Sequence, residues 1–307
     1  MKKVALVVDN SGSLTKEEME KIKVTRLIPI SFIVNGEEFY EGENMSYDEF
    51  YTFLKDKKTD VSTCQPSIEI VKDAWRDILK EYDELVYVLL SSGLSESCNT
   101  AINASHLDEF EGKVYVVNNQ RVAYMNKMAM YEARYLIDQG KSGKEIKEYL
   151  EKTRSECGVY IAVDTLKYLK KGGRVTPAAA AIGTLLNIKP ILQIHGGKLD
   201  AYAKPMSMKQ ARIKMINATR KEIEERFPEE AKQGKVYIGM AHSFADIGAH
   251  ELADFKQEVI SALPELPFFT FDPLPLFIVC HTGPGALAVG YCVDRMGIIK
   301  DMLEKKD

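Results

Sequence analysis

Val4-Ala5-Leu6-Val7-Val8-Asp9-Asn10-Ser11-Gly12-Ser13-Leu14-Thr15 follows the first three residues of the chain, Met1-Lys2-Lys3. An unbroken apolar run without alternation reads as a strand buried on both faces, the kind found in parallel sheets. Asp9 to Ser13 then reads as the loop leaving the strand's carboxyl end, and Thr15 with Glu18 has capping-box spacing for a helix. The basic start followed by apolar residues has only a superficial likeness to a signal peptide. Its apolar run is too short and meets an aspartate at once.

The same grammar repeats along the chain. Leu27 to Val34 reads as a strand ending in the turn signal Asn35-Gly36. Ser46 with Glu49 caps the next helix, and Ser67 caps one running through Trp75. Leu85 to Leu90 is a buried strand followed by the polar loop Ser91-Ser92-Gly93-Leu94-Ser95. Val114 to Val117 is a short strand, a helix spans about Gln120 to Ile137, and Ser142 with Glu145 caps another. Strands alternating with helices argue for a parallel sheet covered on both faces, with ligand-binding loops at the strands' carboxyl ends.

After Cys157 the pattern changes. Gly158 to Val163 reads as a strand, Leu166 to Lys171 as a short helix, and Ala178 to Leu186 as a helix of small residues. Ile188 to Ile194 and Lys198 to Ala203 read as strands joined at Gly196-Gly197, and Ser207 with Gln210 caps a long charged helix. Lys235 to Met240, Phe268 to Phe271 and Leu276 to Cys280 complete a mixed set of strands. The fold class is therefore α/β with two domains: residues 1–157, built on a parallel sheet, and residues 158–307, built on a mixed sheet.

Composition narrows the function. The chain has 307 residues, 45% hydrophobic and 28% charged, with a formal net charge of -4. That mild acidity gives no footprint for nucleic acid. Five cysteines, with no C-x-x-C pair, speak against a disulfide framework or structural zinc and fit a reducing compartment. Leu274 to Val293 carries no formal charge, but Pro275, His281, Gly283, Pro284 and Gly285 interrupt it, whereas a spanning helix needs about 20 predominantly apolar residues. The stretch reads as two buried strands around a tight turn.

Several motifs carry chemistry, each with a plainer alternative. Thr63-Cys64-Gln65-Pro66-Ser67 offers a hydroxyl and free N–H groups for a carboxylate or phosphate, or is only an N-cap. Ser91 and Ser92 can donate to an anion, or simply shape a polar turn; the G-x-S-x-G elbow of a nucleophilic serine is missing. In Leu169-Lys170-Lys171-Gly172-Gly173-Arg174-Val175-Thr176, Arg174 can grip an acid group bidentately, or the cations can offset a helix dipole. There is no Walker A loop and no G-x-G-x-x-G fingerprint. His281, in His281-Thr282-Gly283-Pro284-Gly285, is either a proton carrier or donor to an acid, or a buried structural histidine. The other histidines, His106, His195, His242 and His250, read as structural, and Asp9 and Asp164 read as capping groups rather than metal ligands.

Taken together and in order, these segments resemble the DegV family of bacterial lipid-binding proteins. The resemblance runs through almost the whole chain. It rests on Asp9 to Leu14, Thr63 to Ser67 (similar to T-S-Q-P-S), Ser91 to Ser95, Leu169 to Val175, Asn187-Ile188-Lys189-Pro190-Ile191-Leu192, and His281 to Gly285. Cys64 replaces the usual serine, and Ser95-Glu96-Ser97-Cys98 replaces the commoner S-G-T-Y.

The resemblance implies a cytoplasmic, non-catalytic carrier that holds a long-chain fatty acid at the interface of two α/β domains, its tail in an apolar tunnel. It implies that Thr63, Ser91 and Ser92 contact the carboxylate with His281 beside it, and that Arg174 contacts the head group or the partner. The implied partner is a separate ATP-dependent fatty-acid kinase that makes the acyl-phosphate, so the carrier needs no cofactor, metal or nucleotide site. Two other readings stand beside it: a serine hydrolase of acyl esters using Ser92 and His281, and a lipid sensor without a kinase.

Overall fold

A computed structural model describes residues 2–56, 58–182, 188–195, 198–244 and 249–304. The chain folds into two compact units, one of Met1–Ser31 with Cys64–Ser155, the other of Phe32–Thr63 with Glu156–Asp307. A single division near residue 157 therefore misses one excursion: residues 32–63 leave the first unit and belong to the second. The sequence gives no composition break there, because the excursion is built from the same short strands and capped helices as its surroundings.

In the first unit, a four-stranded parallel sheet runs in the order Arg26–Leu27, Val4–Val8, Glu84–Val88, Val114–Val117. Val4–Val8 and Glu84–Val88 are buried at every position, as the apolar runs Val4–Val8 and Leu85–Val88 require. Trp75 lies fully buried on one side, edge-on to Tyr87 and Phe110. The chain moves from the first strand to one side for Arg26–Leu27, then to the other for Glu84–Val88. The strand order thus reverses between Val4–Val8 and Glu84–Val88, and the crevice outside the carboxyl ends of such a pair is where open α/β sheets bind ligands.

The second unit holds a six-stranded mixed sheet in the order Lys198–Ala203, Ile191–His195, Cys157–Ala162, Leu287–Val293, Val236–His242, Phe268–Pro273. Its only parallel pairing among the described residues joins Val236–His242 to Phe268–Pro273. A three-stranded sheet, in the order Glu37–Phe39, Ser31–Val34, Val61–Cys64, carries the excursion. Asn35 and Gly36, both at positive φ, make its hairpin turn, as their sequence signals.

Capping boxes form as read at Thr15, Ser46 and Ser142, and the Ser67 hydroxyl accepts from Ile70 N–H. Other expectations change. Leu27 to Val34 divides into Arg26–Leu27 and Ser31–Val34, which belong to different sheets. Leu276 to Cys280 is not a strand: Leu276–Thr282 is a helix, entered from Pro275 and ended at Gly283, whose φ is +72°. This helix is buried on most sides, so its apolar residues show no 3.6-residue periodicity, and a short apolar run cannot distinguish helix from strand. Pro275 and Gly283 were the helix punctuation. Pro177–Ile182 is helical, while residues 183–186 of the expected helix, Asn187 of the later motif and the Gly196-Gly197 turn lie outside the described residues.

Candidate functional site

In the first unit, three loops leave the carboxyl ends of neighbouring parallel strands: residues 9–13, 89–95 and 118–123. Asp9, only 2% exposed, ties the first to the second. Its Oδ2 accepts the Leu90 N–H at 2.8 Å, while Oδ1 accepts from the Ser11 N–H at 3.0 Å and from the Ser11 hydroxyl. Burial pushes the Asp9 carboxyl up to about 6, against the pull of these donors. Ser91 is buried and shapes its own turn: its Oγ accepts the Gly93 N–H, and its carbonyl accepts from Leu94 and Ser95. The half-buried Ser92 hydroxyl makes no hydrogen bond among the described residues. Of the two serines, Ser92 has its hydroxyl open to a ligand.

The third loop was missed in the sequence. Arg121, 1% exposed, is held by Glu132 at 2.7 Å and by the Thr153 carbonyl at 2.7 Å, and its own carbonyl accepts the Ser91 N–H. The signal was the polar run Asn118-Asn119-Gln120-Arg121, which directly follows the strand Val114–Val117 at the same sheet edge as the other two loops.

In the second unit, Thr63 and His281 meet. Thr63 Oγ1, on Val61–Cys64, lies 3.0 Å from His281 Nε2, in the last turn of Leu276–Thr282. Burial first, then the charge of Arg174, push the histidine down to about 4, so the ring is neutral at pH 7. Its buried Nδ1 has no hydrogen-bond partner among the described residues. Gly172 explains the packing: a Cβ there would stand 2.1 Å from Nδ1. Reciprocally, a Cβ on Gly283 would stand 2.4 Å from the Tyr168 ring. The helices Lys167–Gly172 and Leu276–Thr282 thus approach through two glycines, each facing the other helix's ring.

Arg174 is half-buried and donates to the Gly172 carbonyl. Lys171 pairs with Asp60 and donates to the Val61 carbonyl, tying this helix to the strand of Thr63. At the other end of the histidine's helix, Glu41 accepts the Leu276 N–H at 2.7 Å and the Tyr47 hydroxyl at 2.5 Å. Nothing in the local sequence marks Glu41 among the many acids of its segment. An open cleft of about 750 Å³ lies in the same segment, lined by Phe39, Met45 and Phe53 with Asp48, Glu49 and Asp56. Its carboxylates disfavour an acid head group, and none of the candidate residues lines it.

The remaining groups have ordinary roles. His250 pairs with Asp254, His242 accepts the Phe244 N–H through Nδ1, and Asp164 pairs with Lys189. Among the described residues no set of three or more His, Cys, Asp or Glu side chains could hold a metal ion. None of the described helices is long and apolar enough to cross a membrane.

With this geometry in view, the relatives are informative. The signature of the DegV family, described as uncharacterised proteins, matches residues 3–294. The chain belongs to the DegV family. A DegV domain-containing protein of Deinococcus radiodurans is 27% identical over 288 residues, covering 93% of this chain and 97% of its own. Among solved structures, a DegV family protein of Thermus thermophilus, described by its fatty acid binding, superposes with a TM-score of 0.82 at 28% identity, covering 95% of this chain and 99% of its own. DegV of Bacillus subtilis, described as a fatty acid binding protein, has a TM-score of 0.78 at 26% identity, covering 96% and 100%.

Proposed function

We propose that this chain is a non-catalytic carrier that binds one long-chain fatty acid and presents its carboxylate to a separate ATP-dependent fatty-acid kinase. The observation carrying the binding half is the whole-length likeness to two DegV proteins described as binding fatty acids. The candidate head-group donors are the hydroxyls of Ser91, Ser92 and Thr63, the last with His281 beside it.

The chemistry supports such a role. A buried methylene contributes about 0.8 kcal/mol, so an acyl tail offsets the cost of association, while its carboxylate must be hydrogen-bonded when buried. A neutral His281 supplies hydrogen bonding without a counter-charge. That leaves a carboxylate oxygen nucleophilic toward a phosphoryl group, and Arg174 is the residue suited to meet the kinase or the phosphate. The hydrolase reading gains nothing here: Nδ1 of His281, the atom an orienting acid would hold, has no partner among the described residues.

Separate variants test the two halves. Thr63→Ala and Ser92→Ala should each release bound oleate, and Arg174→Ala should retain oleate yet slow its phosphorylation by a fatty-acid kinase. Full retention in both alanine variants would remove the head-group assignment. A chain that binds oleate but supports no kinase turnover would leave a lipid sensor in place of a carrier.

A further inference from the structure

The first unit contains a closed ring of buried hydrogen bonds. Asn119 Nδ2 donates to Asn126 Oδ1 at 2.8 Å, Asn126 Nδ2 donates to Ser11 Oγ at 2.8 Å, and the Ser11 hydroxyl donates to Asp9 Oδ1. Asp9 Oδ2 accepts the N–H of Leu90, the next residue's N–H donates to the Arg121 carbonyl, and the Arg121 N–H donates to Asn119 Oδ1 at 3.0 Å. Asp9, Ser11, Asn119 and Asn126 are each at most 2% exposed. The ring encloses the backbone at Leu90 and Ser91, immediately before Ser92.

Donation around this ring has a direction. Each side-chain step from Asn119 hands a hydrogen forward, and the sequence ends on a carboxylate that only accepts. A proton on Asp9 would compete with Ser11 or Leu90 for the same oxygen, forcing the Ser11 hydroxyl to turn or the Leu90 N–H to lose its acceptor. The backbone is also strained here. Among the described residues five non-glycines have positive φ, and Ser13, Gln120 and Ala123 are three of them, all within two residues of ring members. Strain of this kind persists where the surroundings over-determine a conformation, often at ligand sites.

We propose that Asp9 is the positioning residue of the Ser91–Ser92 loop: its carboxylate closes the ring that fixes the loop, so the loop's grip on an acyl head group depends on whether Asp9 carries a proton. This rests on the fatty-acid reading for its ligand, but the ring itself does not. Among the described residues, burial and its own hydrogen-bond donors act on the Asp9 carboxyl. Tyr87, on Glu84–Val88, and Cys98, on Ser97–Ser105, are the titratable groups coupled to Asp9, and burial raises both so that they stay neutral. On Tyr124–Asp138, which supplies Asn126, Lys127 is taken by Glu18, and Arg121 is taken by Glu132.

The test follows amide resonances of the ligand-free protein from pH 4 to 8, together with oleate affinity at pH 7.5. In the wild type the Leu90 and Ser92 amides should titrate together with a midpoint near 6. Asp9→Asn places an amide where one carboxylate oxygen stood; it should abolish the titration and weaken oleate binding at least about tenfold, equivalent to about 1.4 kcal/mol. Ser11→Ala keeps the Leu90 bond but removes a donor that favours the ionised form. It should move the midpoint upward, which a merely structural serine would not do. Amides that ignore pH across this range, or Asp9→Asn protein that binds oleate as tightly as wild type, would overturn the proposal. A wild type that titrates but binds no fatty acid would instead overturn the functional reading on which the ligand half depends.

Discussion

Replacing Gly172 by alanine sets two physical effects against each other. Alanine is favoured over glycine inside a helix by about 1 kcal/mol, so propensity alone would make Gly172→Ala stabilising. The structure says otherwise. The new Cβ would lie 2.1 Å from Nδ1 and 2.8 Å from Cε1 of His281. Restoring an ordinary contact of 3.4 Å requires the ring or the helix to move by about 1.3 Å. Overpacking of this size costs about 1–3 kcal/mol. If the ring moves, the 3.0 Å bond to Thr63 is lost as well, worth about 1 kcal/mol. The net expectation is a destabilisation of about 2 kcal/mol, a fall in Tm of roughly 4–8 °C for a unit of this size. Gly173→Ala is the control. Its φ is +70° and none of the described residues lies within 4 Å of a Cβ there, so it should lose stability through backbone strain alone and leave oleate affinity unchanged. Scanning calorimetry with oleate titration reads both variants. A Gly172→Ala protein as stable as wild type, with wild-type affinity, would refute the packing argument and the role given to the His281 ring.

Two further outcomes follow from buried polar groups. His281 has a folded pKa of about 4 against an ordinary value of 6.5, so as pH falls through that window the unfolded chain takes up its proton first and stability is lost. Denaturant unfolding should therefore show the wild type losing ground against His281→Gln, which cannot charge, between pH 6.5 and 4; a constant difference would mean the ring is not buried neutral. Trp75 is fully buried and its indole N–H has no partner among the described residues. Trp75→Ala should cost about 3–5 kcal/mol, whereas Trp75→Phe should cost under about 1 kcal/mol, because the lost volume is offset by removing an unpaired donor. Equal costs in a denaturant titration would contradict that account.

Much of the fold was legible because its signals are local. Val4–Val8 and Leu85–Val88 are continuous apolar runs, and the boxes at Thr15, Ser46 and Ser142 lie within four residues each. What escaped depends on tertiary context. Leu276–Thr282 lost its helical signature through burial, and with it the position of His281 changed from strand end to helix end. The excursion of residues 32–63 is a matter of which surface a segment packs on, which no local pattern records. The pairing of Thr63 with His281 spans 218 positions, so the sequence offered both residues but not their contact. Gly172 looked like a turn residue and proved to be a seat for a ring. Asp9 was read as a cap, and it does accept the Ser11 N–H, but its bond to Leu90 was invisible until the strands were adjacent.

The central claim is that this chain binds a fatty acid, and the most direct test is the protein as purified. Native mass spectrometry, paired with solvent extraction and identification of the released lipid, should find one long-chain fatty acid per chain, lost on denaturation. A chain that carries no lipid and takes up no added oleate would contradict the account.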